Sequence, residues 1–197
     1  REQEIELGKQ AAAEVEREME VVNNPKIEAW LNQIGQKLAN TAQANEYPYY
    51  FKLVKDDSIN AFALPGGPMF VQRGMFDAAA SEGEVVGVMA HELSHVLLRH
   101  GTANATKAEN PWLQIGQMAG AVGGAVVGGA AGSAIAQGSQ VGLGSLLLRY
   151  SRDFEKQADI LGSQIMARAG YDPRELGRMF ETIEKTSGGG GNPQWLS

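Results

Sequence analysis

The 197-residue chain has no cysteine, which excludes disulfides, thiolate metal sites and iron–sulfur clusters, so any metal must be held by nitrogen and oxygen. That absence leaves the compartment open. Histidine is scarce too, with three in all. The net charge is −6 and no basic block occurs, which argues against nucleic acid as a partner. From Asn110 to Leu148 there is no charged residue, and that interval is also short of the Leu, Ile and Phe that a bilayer core favours. No secretory signal opens the chain: Arg1 begins a charged amphipathic stretch, as it also would after removal of a leader. The length suits one domain with a real core.

What the chain does have is Val88-Met89-Ala90-His91-Glu92-Leu93-Ser94-His95-Val96-Leu97, an H-E-x-x-H pattern inside an apolar run. A helix turns about 100° per residue, so His91 and His95 share one face and can offer two imidazole nitrogens to one cation. Glu92 stands beside the first of them, placed to handle a water in the metal's open position without ligating the metal. Two core histidines on a buried helix would be the bland alternative, but two imidazoles and a carboxylate within one turn would each need a costly partner. His100 follows His91 by nine residues, about 900° around the helix. It is expected on the opposite face, against the helix's carbonyl end before Gly101.

In order along the chain, residues 2 to 22 read as a surface helix with Ile5, Val15, Met19 and Val22 as a thin apolar stripe among seven glutamates. Asn24-Pro25 opens a second helix whose Ile27, Trp30, Leu31, Ile34 and Leu38 face the core. Together they form a helical arm over 2–42. Between 49 and 72 the period becomes two, with turns at Asp56-Asp57-Ser58 and Pro65-Gly66-Gly67-Pro68, which predicts a small antiparallel sheet. Asn60, Ala61, Phe62, Ala63, Gly67 and Met69 are expected along an edge that adds an extended peptide as a further strand; capping the helical core is an equal alternative. Ser81-Glu82-Gly83-Glu84 is a capping box that opens the metal helix, 81–100.

Gly116, Gly120, Gly124, Gly128 and Gly132 recur every fourth residue. Such spacing lets helices approach closely, as membrane pairs do, yet the composition favours a tightly packed helical hairpin or lid over 111–148 beside the site. A helix over 149–169 follows, with Phe154, Ala158, Leu161, Ile165 and Met166 as its buried stripe, and a last helix runs from Asp172-Pro173 to about Lys185. The fold class is therefore mainly α with a small antiparallel sheet (α+β), one domain over 1–187. A flexible tail, 188–197, carries Trp195 and Leu196.

A catalytic zinc takes three protein ligands and a water. With Leu98 and Gly101 where a longer histidine motif would need glycine and histidine, the third ligand must be a carboxylate. Glu109, Asp153, Glu155, Asp159, Glu175, Glu181 and Glu184 are available downstream. Glu155 is preferred because Asp159 lies one turn on, able to accept a hydrogen bond from the outer nitrogen of a ligating histidine. An exposed acidic face paired with Lys156 is the competing reading. Tyr150 and Arg152 are weak candidates for a second oxyanion donor or a structural role.

His91-Glu92-Leu93-Ser94-His95 followed by Ser151-Arg152-Asp153-Phe154-Glu155-Lys156-Gln157-Ala158-Asp159 resembles the paired signature of the Ste24-like zinc metallopeptidases. Asn60-Ala61-Phe62-Ala63-Leu64-Pro65-Gly66-Gly67 is similar to that family's strand beside the cleft. The branch most resembled is soluble and periplasmic, made of proteases acting in outer-membrane protein quality control. The resemblance implies a zincin-like domain with one zinc ion per chain on His91, His95 and Glu155, and with Glu92 catalytic. It further implies polypeptide substrates, a place in the bacterial periplasm or cell envelope, and a possible association with the membrane surface or outer-membrane proteins. In that branch a sequence like Trp195-Leu196-Ser197 continues into a Thr-His-Pro segment with a histidine near the metal; this chain ends before it, so its tail is expected to be cut short. The function expected is endoproteolysis. The alternatives are a zinc-containing holdase that binds unfolded chains with little cleavage, and a glycine-zipper membrane protein with an incidental zinc site. Oligomeric state is not set by the sequence.

Overall fold

A computed structural model describes residues 1–44, 46–105 and 150–186. The glycine-rich interval 111–148, Glu109 and the tail 188–197 lie outside the described residues. Helix α1 (Glu2–Glu18) buries a face of small residues, Gly8, Ala11, Ala12 and Val15. A methyl group at Gly8 would stand 1.9 Å from the Pro65 carbonyl oxygen, so only glycine allows this helix to lie on the turn at Pro65 and Gly66. The helix ends earlier than the apolar stripe predicts. Met19 is extended, and Val22 donates its amide to the Leu53 carbonyl at 2.8 Å. Val22 thus follows the sheet instead of the helix, while the Met19 amide closes the helix on the Val15 carbonyl.

Helix α2 (Pro25–Thr41) starts as expected. Asn24 accepts from the Lys26 and Ile27 amides, and Pro25 occupies the first turn, where no partner for its nitrogen is needed. Its buried face, Leu31, Ile34, Leu38 and Ala39, packs on β1. Its Asn32 side chain both donates to the Phe51 carbonyl, at 2.8 Å, and accepts from the Phe51 amide, at 3.1 Å. The outer edge of β1 is therefore closed.

The strands β1 (Tyr50–Val54), β2 (Ala61–Ala63) and β3 (Pro68–Gln72) form a sheet in the order β1-β3-β2. The sheet is mixed: β2 and β3 pair antiparallel as expected, but β1 and β3 are parallel, from Tyr50 opposite Pro68 to Val54 opposite Gln72. Gly66 and Gly67, at φ of 80° and 115°, allow the tight reversal that makes β2 and β3 neighbours. β3 is buried at all five positions and takes the centre, so β1 must lie along its other side. Met69 therefore sits in the central strand and not on an edge, and Gly67 lies in the turn.

After the short α3 (Arg73–Ala78) comes α4 (Glu82–Leu97), the axis of the fold. The Ser81 hydroxyl accepts from the Glu84 amide at 3.2 Å, while the Glu84 carboxylate reaches back to the Ala80 amide at 2.8 Å. Every residue from Glu84 to Val96 is buried. Helix α4 packs against β2, α2, α6 (Arg152–Arg168) and α7 (Arg174–Thr186). It stops at Leu97; Arg99 adopts φ 56°, and His100 begins a new short helix, α5 (His100–Ala105). Among the described residues no helix is long and apolar enough to cross a membrane.

The approach of α6 to α4 is limited by Gly162. A methyl group there would stand 3.1 Å from the His91 nitrogen and 3.2 Å from the Ala90 carbonyl carbon. Gly162→Val should therefore destabilise the metal-free protein by about 1–3 kcal/mol through overpacking against backbone. Urea denaturation measures this, and an unchanged midpoint would mean that the two helices are not in contact here.

Candidate metal centre

Helix α4 supplies two imidazoles from one face, as the four-residue spacing requires. The Nε2 atoms of His91 and His95 lie 3.0 Å apart. Glu155, in the first turn of α6, brings Oε2 to 3.2 Å from His91 Nε2 and Oε1 to 3.6 Å from His95 Nε2. One donor atom from each of the three side chains lies within 4.8 Å of the others. The set is nitrogen, nitrogen and oxygen, and both rings are buried. It fits a divalent cation with an open position, which Cys-free chemistry allows. Asp159 stands at the outer face, with Oδ1 2.9 Å from His91 Nδ1. It is 41% exposed, while Glu155 is 15% exposed.

Glu92 is buried and outside the triad. Its Oε2 accepts the Ala63 amide at 3.3 Å. Burial pushes its carboxyl up to about 7, with His91 opposing and Glu155 reinforcing the shift. Burial also works against a charge on His91, but hydrogen bonds to the Asp159 and Glu155 carboxylates outweigh it and raise the ring to about 10 without a metal. Burial holds His95 far below the ordinary histidine range, and the neighbouring His91 and His100 rings add to this.

The strand β2 borders the site. Asn60 and Leu64 bond to β3 through the Gln72 amide and the Pro68 carbonyl, so by alternation Ala61 and Ala63 direct their backbone groups away from β3. Ala61 donates its amide to the Asn60 side chain at 2.9 Å, and Ala63 donates to Glu92. Phe62 points into a second core cluster, stacked on Phe70. Two hollows open on either side of the Ala63–Glu92 contact. One, of about 220 Å³, reaches Ala61, His91 and Glu92. The other, of about 270 Å³, reaches Ala63, Pro65 and His95.

Tyr150 lies flat on His95, with centroids 4.0 Å apart and planes 14° apart, and burial keeps its phenol protonated. Its hydroxyl is near Gly101, an arrangement that suits packing. Arg152 is exposed at the start of α6. His100 is not on the far side of α4. The helix breaks at Leu98–Arg99, so the ring folds back until its Nδ1 lies 2.9 Å from His95 Nδ1, while its Nε2 lies 3.2 Å from the Gln157 side-chain oxygen. No helical projection from His91 could have placed it. The only cue in the sequence was Arg99-His100-Gly101 at the point where the helix was expected to end.

Two histidines from one buried helix and a carboxylate from a second are the donor set that a zincin-like domain requires. The chain belongs to Peptidase family M48, whose model matches residues 25–197. The Beta-barrel assembly-enhancing protease of Escherichia coli strain K12 is 29% identical over 184 residues, covering 92% of this chain and 37% of the relative. Metalloprotease YcaL of the same strain is 29% identical over 163 residues, 80% of this chain and 62% of the relative. The mitochondrial metalloendopeptidase OMA1 of Saccharomyces cerevisiae strain S288c is 34% identical over 145 residues, 71% of this chain and 39% of the relative. The chain thus spans less than two thirds of the length of each of these relatives.

The raised Glu92 carboxyl carries a stability consequence. Its folded value, about 7, exceeds the ordinary 4.5, so the folded protein binds this proton more tightly than the unfolded chain. Stability of the metal-free protein should fall as pH rises from about 4.5 to 7, and the full cost is present above 7. Glu92→Gln should therefore stabilise the metal-free protein above pH 7, by up to about 3 kcal/mol, and lose that advantage near pH 4.5. Denaturant midpoints for both proteins across pH 4–8 measure this; a gap independent of pH would contradict it.

Proposed function

We propose that the chain is a zinc-dependent metalloendopeptidase domain that hydrolyses peptide bonds in protein substrates, with a role in protein quality control in the bacterial cell envelope. The observation that carries this reading is the placement of Glu92. A buried carboxylate next to the first histidine and outside the triad, raised by burial in the metal-free protein, stands where a general base and acid would meet a water at the ligand set. His91, His95 and Glu155 are the ligands, and Asp159 orients His91 through its outer nitrogen. Zinc, when bound, supplies Lewis-acid polarisation of the scissile carbonyl and lowers the pKa of water. Glu92 takes the proton from the attacking water and returns it to the leaving amine.

The β2 edge, Ala61 to Ala63, is the segment along which an extended peptide is laid, between the two hollows. The peptide must take over the Ala63 amide from Glu92, which frees the carboxylate for the water. Phe62 anchors this strand from behind. Tyr150 packs on His95 and holds its ring. The envelope assignment is supported by the likeness to the beta-barrel assembly-enhancing protease, and unfolded outer-membrane polypeptides are the substrate class it suggests.

Glu92→Gln should retain zinc, measured as about one ion per chain by mass spectrometry, and should lower cleavage of casein by about 10²–10⁴-fold. Unchanged cleavage would remove Glu92 from the chemistry. A wild type that keeps unfolded chains from aggregating without cleaving casein would favour a holdase.

A further inference from the structure

We infer that His100, bonded to Gln157, is a positioning residue that sets the tautomer of His95 and so leaves a lone pair on the nitrogen that faces the metal site. The inference rests on the metal reading above and extends it to the second histidine, for which Asp159 does nothing. A neutral imidazole has one N–H and one lone pair, so two Nδ1 atoms 2.9 Å apart require one ring to donate and the other to accept. The direction is set from the far end. The Gln157 side-chain oxygen can only accept, so the proton on His100 sits on Nε2, 3.2 Å away. His100 Nδ1 is then the acceptor, and His95 carries its proton on Nδ1. That leaves the lone pair of His95 on Nε2, the atom that faces His91 and Glu155. Turning the Gln157 amide round would reverse the chain and place a proton where the cation must bind.

The surroundings hold this geometry. Phe154 stacks on His100 with centroids 4.1 Å apart and planes 7° apart, and Tyr150 covers His95 in the same manner. His100 itself is 2% exposed and meets His95 in the interior, while Gln157 reaches its outer nitrogen from an exposed position on α6. The two metal-side imidazoles thus have unlike outer partners: a half-exposed carboxylate for His91 and a buried neutral ring for His95.

The test uses His100→Leu, which removes the acceptor at similar size, and His100→Asn, whose side-chain oxygen falls near the lost Nδ1. Zinc affinity is read by chelator competition, and the unfolding midpoint of the metal-free protein is read alongside. His100→Leu should weaken zinc binding by about 10–100-fold, and His100→Asn should restore most of the loss. Equal affinity in His100→Leu and wild type overturns the inference, as does an equal loss in both variants, which would mark a packing effect. If His100→Leu does not fold, the wild type decides. With three histidines in the chain, ¹⁵N-histidine spectra of the zinc-loaded protein should show one ring protonated on Nε2 and two on Nδ1. A His100 protonated on Nδ1 overturns the inference. A wild type that binds no zinc would instead defeat the metal reading, so the two failures are distinct.

Discussion

The close packing of α6 on α4 is the constraint on which the site depends. Two histidines on one helix cannot complete a metal site; the carboxylate must come from another element, and Glu155 sits only one turn into α6. The missing side chain at Gly162 lets α6 come down onto the backbone of Ala90 and His91, two turns beyond Glu155. Ala158, also fully buried, keeps the intervening turn slim. The distances of 3.2 and 3.6 Å from Glu155 to the rings follow from this approach. The other packing around α4, from Val86, Met89 and Leu93 to Met166, Leu176 and Met179, holds the helix in place from the remaining sides.

That core imposes an electrostatic cost. Two imidazoles and Glu92 are removed from water within two turns, and each is displaced from its ordinary titration range. In a protein without further purpose such a cluster would be replaced by apolar residues at a gain in stability. A cation at the triad changes the balance, because ligand deprotonation and ion binding become part of the folding free energy. The raised value of His91 reflects the carboxylates around it, whereas burial is what raises Glu92. The hydrogen bond from Ala63 to Glu92 joins this cluster to the sheet edge, so β2 helps to fix where the Glu92 carboxylate sits.

Much of this was legible in the sequence, for local reasons. His91 and His95 could be paired from spacing alone because α4 is regular across them. Glu155 and Asp159 stood out because four residues place them on one face of another regular helix. The Ser81 and Asn24 caps were readable for the same reason. What could not be read depends on breaks and on distant pairing. His100 was assigned to the far side by extending the helix through Arg99, whose left-handed backbone ends it. Alternation gives the period of a strand but not its neighbour, so the antiparallel expectation fails at the parallel β1–β3 pair, with β3 drawn to the centre by burial at all five positions. Met19 and Val22 fit a helical stripe, yet the helix closes at Met19 and Val22 bonds to the outer edge of β1.

The central claim is that one divalent ion is held between α4 and α6 by this set of atoms. X-ray absorption at the zinc edge, recorded on the purified protein with one equivalent of zinc, tests it most directly. The account predicts a shell of nitrogen and oxygen near 2.0–2.2 Å with two imidazole rings, changing by one oxygen ligand when Glu155 is replaced by alanine. A spectrum with one imidazole or none, or one untouched by the Glu155 replacement, would contradict it.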